Sequence, residues 1–333
     1  MKNRYIFVAG AGYGLAMRFA FGMFSFLNKS TSDLASGPML ASFVMLVPLL
    51  IGASTVYALR TQRIGFGKAI VAPWIPLLIF VAGTAVLLWE GSICIAMAAP
   101  IFMLMASVGG VAALLLLKMW QPSSGVMYSL ALLPFLAAAF EVNAPMPNRL
   151  ERSSAAIHID APSAKIWDLI NNATQIQPSE MGEGVAYMIG VPYPIEAVTH
   201  EDANGRIRKL LWDKGVSFDE PILAWEENQY IKWSYQFRPD SFPRGALDEH
   251  VLIGGKYFDL IDTSYRLTPE EKGTRLEIVV NYRVSTNFNW YAAAWGRLMV
   301  DNSAEAILNF YKQRSEQKNT QHMPAYLSEV GAL

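Results

Sequence analysis

The chain has 333 residues, with 27 basic against 28 acidic side chains and a formal net charge of −1. Charge this balanced and scattered, with no basic stripe, excludes the electrostatic footprint of a nucleic-acid binder, and a single cysteine, Cys94, excludes an internal disulfide framework. The hydrophobic share of 53% is concentrated between Tyr5 and Phe140, and ordinary soluble composition follows. The chain therefore reads as a membrane protein carrying an extramembrane domain.

A bilayer core needs roughly 20 mostly apolar residues per helical span. The first half supplies about five such segments, at residues 5–27, 39–59, 69–89, 92–117 and 126–140, within a transmembrane helical domain of residues 1–142. The last segment is short and Pro134 interrupts it. Lys and Arg in short loops set orientation. With five spans, Lys2, Arg4, Arg60, Arg63, Lys68 and Lys118 fall on one side, against Lys29 opposite. That places the N-terminus in the cytoplasm of a bacterial-type inner membrane and the C-terminal domain on the periplasmic side. If the fifth segment only lies at the interface, the domain is cytoplasmic instead. No cleaved signal peptide is expected, because the first segment is long and Arg18 interrupts it.

Within the spans, Gly10-Ala11-Gly12-Tyr13-Gly14 has the wrong spacing for a dinucleotide loop and suits close helix packing. Arg18 and Glu90 are ionisable groups in or near the bilayer and invite a transport or relay reading.

A stiff linker at residues 143–152, Pro-rich at Ala144 to Asn148, leads into a domain expected at residues 153–318, with a tail at 319–333. Ser154 to Asp160 alternates as a first strand. Ala161-Pro162-Ser163 opens a short helix through Ile170. After the Gly- and Pro-containing stretch from Met181 to Pro194, Asn204-Gly205 marks a hairpin between Glu196 to Glu201 and Arg206 to Trp212. Further strands are expected at residues 216–225, 229–237, 256–267 and 274–285, and a long helix at about 289–317.

That order describes a soluble α+β helix-grip domain, a curved antiparallel sheet around a long C-terminal helix. Ile157-His158-Ile159-Asp160-Ala161-Pro162 followed by Ile166-Trp167-Asp168-Leu169-Ile170 resembles the opening of the SRPBCC superfamily, which includes START domains, birch-pollen-allergen-like proteins and polyketide cyclases. Tyr265-Arg266-Leu267-Thr268-Pro269 and Gly273-Thr274-Arg275-Leu276 resemble its last hairpin. The resemblance covers about residues 153–314 and departs from the pattern in the stretches 171–195 and 238–255. It implies a domain that binds a lipid or other hydrophobic small molecule.

The residues themselves fit that implication. Ile231, Trp233, Tyr235 and Phe237 share one strand face; Leu276, Ile278, Val280, Tyr282 and Val284 share another. Tyr291, Trp295, Leu298 and Asn302 recur at helical spacing on the last helix. The expected ligand-binding set is Ile231, Trp233, Tyr235, Phe237, Ile278, Val280, Tyr282, Tyr291, Trp295 and Leu298, although such a stripe is as readily simple core. An enzyme would need polar groups at the mouth, and His250 with Asp248 and Glu249, or Glu180 and Glu183, are the candidates. His158 alternates with apolar neighbours and is expected on the outer face. No metal or cofactor is implied, and the expected partners are the bilayer, an apolar ligand and other membrane proteins.

Overall fold

The structure is a computed structural model that describes residues 2–27, 37–62, 64–87, 91–120, 124–182, 184–203 and 205–317. Lys29, Arg63, Glu90, Glu183, the tail from 318 and the side chain of Glu249 lie outside the described residues.

The apolar half folds into α1 (Lys2–Leu27), α2 (Val47–Ala58, preceded by a π-helical turn at Ser42–Leu46), α3 (Phe66–Val71), α4 (Trp74–Leu87), α5 (Ser92–Met119), α6 (Ser124–Ala131) and α7 (Leu133–Glu141). Three stretches are long and apolar enough to cross a bilayer, namely Arg4–Met23, Phe66–Leu87 and Ser92–Met119. The second and fifth expected spans are shorter, at Ser42–Ala58 and Ser129–Glu141. The second is shortened because the chain before it turns through a 3-10 helix at Gly37–Met39. Pro134 sits in the first turn of α7, where its missing N–H costs nothing, so the fifth segment divides into α6 and α7 there.

Small residues let these helices touch. A Cβ on Gly52 would lie 1.9 Å from the Ala106 carbonyl oxygen, and one on Gly109 would lie 1.9 Å from that of Leu49, so α2 and α5 meet backbone to backbone. Gly10 and Gly14, one turn apart on α1, face Pro76 and the Phe80 ring of α4. Phe21, Phe43, Phe80 and Phe102 fill the middle of the bundle.

The second half begins with β1 (Asn148–Ile159), which starts inside the stretch expected as a linker because Asn148 to Arg152 pair with Ser285 to Asn281. It continues through α8 (Ser163–Asn171), β2 (Asn172–Ala173), α9 (Val185–Met188), β3 (Pro194–Asp202), β4 (Gly205–Trp212), β5 (Ser217–Glu226), β6 (Tyr230–Ser234), β7 (Phe258–Pro269), β8 (Thr274–Ser285) and α10 (Asn289–Glu316). The strands form one antiparallel sheet in the order β1-β8-β7-β6-β5-β4-β3-β2. Gly205 carries the positive φ that the β3–β4 turn demands. Register shifts at Pro194/Glu196, Ile222/Ala224 and Leu260/Asp262 add the local twist that bulges bring. The curled sheet holds α10 against its inner face, which is the helix-grip arrangement. β8 shows why it folds so: Leu276, Ile278, Val280, Tyr282 and Val284 are buried toward α10 while Arg275 is exposed.

The buried face of α10 is not the one its bulky residues suggested. Ala293, Gly296, Val300, Ala304 and Leu308 are buried, whereas Leu298 is exposed and Trp295 half-buried. The helix approaches closely where side chains are small: a Cβ on Gly296 would already press on Val284 at 3.2 Å. Large residues at the edge of the contact are left to wrap around it.

Candidate functional site

Between α10 and the sheet lies a cavity of about 230 Å³. Its walls are mostly apolar, with Trp233, Tyr235, Leu260, Tyr265, Ile278 and Val280 from the sheet and Met299, Val300 and Ile307 from α10. Such a wall with a few placed polar groups has the composition of a small-molecule site.

The polar groups cluster around one buried ion pair. Arg208 and Glu220 are direct cross-strand partners on β4 and β5, both almost fully buried, with Nη1 of Arg208 donating to Glu220 Oε2 at 2.5 Å. Arg208 also donates to the Ile170 carbonyl at 3.1 Å and the Tyr311 hydroxyl at 3.3 Å, and its guanidinium lies 4.9 Å from the centre of the Trp233 ring. Burial pushes the Glu220 carboxyl up to about 7, against the opposing pull of Arg208. The buried Trp233 indole N–H lies beside Glu220 and favours its charged form. Nearby, Tyr235 and Thr263 share a hydrogen bond of 2.6 Å. A buried ion pair is costly to desolvate and adds little net stability.

Sequence reasoning missed Arg208 and Glu220, yet a signal was there. Arg208 shares the strand parity of buried Leu210, and Glu220 that of buried Phe218. The short turn at Asp213 to Gly215 sets the two strands in register, so both charged groups had to point inward opposite one another.

Of the expected ligand set, Trp233, Tyr235, Ile278 and Val280 line this cavity. Ile231 and Tyr282 are buried core, and Phe237 packs on Phe218 and Phe242 beside it. Trp295 and Leu298 stand off the cavity wall for the helical reason given above. Tyr291 belongs to the joint with the helical half, where its hydroxyl donates to the Met97 carbonyl at 2.5 Å.

Of the expected acidic candidates, Asp248 and Glu180 are occupied elsewhere. Asp248 accepts the Cys94 backbone N–H at 2.9 Å, in the first turn of α5, where a carboxylate suits the unpaired N–H groups and positive dipole end. A Cβ on Gly91 would lie 1.4 Å from that carboxylate, so a side chain there would push Asp248 aside. Glu180 accepts two hydrogen bonds from Arg314, at 2.7 and 2.8 Å, which hold its carboxyl below the usual range. His158 is exposed and lies 2.6 Å from Glu270. His250 is the member of its group that lines the cavity. No group of three or more His, Cys, Asp or Glu with metal-binding geometry occurs among the described residues.

No family model matches the sequence, and no curated protein does either. Among solved structures, the chain is similar to the di-domain ARO/CYC BexL from the BE-7585A biosynthetic pathway, at 13% identity and a TM-score of 0.32. That match covers 63% of this chain and 62% of that one, so the chain spans less than two thirds of that protein. Protein MLL2253 from Mesorhizobium loti is 16% identical, with a TM-score of 0.29, over 50% of this chain and 100% of its own. Protein Ms6760 from Mycobacterium smegmatis is 13% identical, with a TM-score of 0.28, over 52% of this chain and 99% of its own. The helix-grip assignment rests on the sheet and helix of this chain itself.

Proposed function

We propose that this chain is an integral membrane protein whose START-like, helix-grip domain takes up a lipid or other apolar molecule at the bilayer surface, for sensing, presentation or transfer. The observation that carries this reading is the apolar cavity under α10, with its few polar groups gathered at Arg208 and Glu220. The loop charges favour a cytoplasmic N-terminus and an extracytoplasmic domain, in a bacterial-type inner membrane. His250 on the cavity wall supports a second reading, in which the domain modifies its ligand with that imidazole as acid or base.

Native mass spectrometry with organic extraction, on the full chain in a mild detergent, tests the proposal. The expected result is one apolar molecule per chain, lost when Val280→Phe fills the cavity. A folded chain that carries no such molecule and excludes added apolar probes defeats the reading. His250→Ala separates the alternatives, because it leaves a carrier loaded with unaltered ligand and abolishes an enzyme's product.

A further inference from the structure

The helix-grip cavity does not end at the domain. Met39, Ile93 and Met97, all from the helical half, contribute to its wall. A second, almost wholly apolar cavity of about 130 Å³ lies inside the bundle, among Phe43, Phe80, Ile101 and Phe102, with Arg18 at its edge. The two cavities share Met39, Met97, His250, Val251 and Ala292 as common wall. Half-buried Pro38, Val81 and Ile95 also line the bundle cavity.

The joint around this shared wall holds both apolar and polar contacts. Phe288, at the start of α10, packs into the bundle's own aromatic core. Glu141 at the end of α7 accepts the backbone N–H groups of Ala41 and Ser42, at 2.5 and 2.8 Å, and the Asn287 amide at 2.8 Å. Ser92 donates to the Ile189 carbonyl at 2.6 Å, and Asp248 and Tyr291 add the bonds to Cys94 and Met97 already described. Four polar ties from α5 and α7 thus join the domain around an apolar centre. Polar groups at the rim and apolar groups at the middle are how an interface keeps a greasy passage sealed from water.

We infer that the two cavities are one passage, through which a bilayer-resident amphiphile with a single long apolar chain reaches the domain from the membrane side. This rests on the proposed ligand-binding function and specifies its ligand class and route. The chemistry of the walls fixes the orientation. Donors and the ion pair lie at the domain end, where Arg208, Tyr311 and the Trp233 N–H can meet an oxygen-bearing headgroup. Apart from Arg18, the bundle end offers aromatic and aliphatic carbon, which suits the chain. Burial of both ends out of water supplies the driving force.

The test uses the full chain in nanodiscs containing two photoreactive fatty acids, one with a diazirine near the carboxyl and one near the methyl terminus. Crosslinked peptides are mapped by mass spectrometry. The expected pattern is carboxyl-end labelling in 208–234 and methyl-end labelling in 39–44 and 93–102. Ala292→Trp, or Met97→Trp from the opposite wall should the first fail to fold, plugs the shared segment. Either variant is expected to lose domain labelling and keep bundle labelling. Domain labelling that survives both plugs, a reversed pattern, or both labels confined to the domain overturns the passage while ligand binding stands. Absence of domain labelling by either probe in the unmodified chain overturns the passage and counts against the ligand-binding function too.

Discussion

The helical half and the helix-grip half are both rich in Phe, Tyr, Trp and small residues, yet they use them in opposite ways. In the bundle, Gly52 and Gly109 bring α2 and α5 into backbone contact, and aromatic rings fill what remains of the centre. In the domain, Gly296 brings α10 against β8, Asp301 and Arg297 of the helix bond to Ser153 and Glu151 of β1, and Tyr311 reaches Arg208 of β4 and Tyr265 of β7, so the helix touches the sheet around a cavity that the curl leaves between them. The lesson is geometric. Two rods can touch along their length, whereas a rod inside a curved sheet leaves space wherever the two curvatures differ.

This contrast breaks most readily in the bundle. Gly109→Val puts side-chain carbon into the Leu49 carbonyl, a backbone atom that cannot rotate aside. Overpacking of this kind costs about 1–3 kcal/mol, and more where a backbone atom blocks relaxation, so the variant is expected to lose thermal stability and monodispersity in detergent. An unchanged melting profile would show that α2 and α5 are not in contact.

In the domain the largest effect is expected at the ion pair. Arg208→Met alone leaves a buried carboxylate without its partner, at roughly 3–5 kcal/mol, whereas the double change Arg208→Met with Glu220→Leu is expected to recover most of that loss. Chemical unfolding of the two variants measures the difference. Recovery of stability without recovery of ligand would place the pair in recognition and not in folding.

A smaller effect is expected at the seam between the halves. Asp248→Ala removes the side chain that satisfies the Cys94 N–H, a loss of the order of 1 kcal/mol for helix capping. Hydrogen exchange should speed up over residues 92–97 and leave the middle of α5 unchanged.

Two acids sharpen the comparison through pH. Glu180 has a depressed carboxyl pKa because Arg314 binds its charged form, so its contribution is present above the ordinary value of 4.5 and is lost as pH falls through the lowered one. Glu220 has the opposite sign: burial keeps its proton in the fold, so its contribution is present below 4.5 and is lost as pH rises through about 7. Stability curves of Glu180→Gln are expected to flatten on the acid limb, and those of Glu220→Gln between those two pH values. Identical curves for both variants would contradict the assignment.

How much of this was legible varies by element. The alternation in Thr274 to Ser285 is so regular that the expected strand and the observed β8 coincide. Gly205 located the β3–β4 turn because a tight hairpin needs positive φ there, and Asn204 lies outside the described residues. The closing helix was found to within a residue of its ends, but its buried face was misread. Helical spacing suggested Tyr291, Trp295, Leu298 and Asn302, while the sheet selected Ala293, Gly296 and Val300. Asp248 and Glu180 were legible as polar residues near the mouth, and their true partners, Cys94 and Arg314, lie far along the chain.

The sequence by itself determined the division into an apolar helical half and a strand-rich half ending in a long helix, because hydropathy and periodicity are local properties that each segment carries alone. The tertiary structure decided where α10 meets the sheet, that Arg208 and Glu220 face one another inside it, and that the domain cavity shares a wall with the bundle. Those features depend on sheet curvature, register and the docking of Phe288 and Tyr291 into the helices. They arise from residues brought together across long stretches of chain, and no local pattern encodes them.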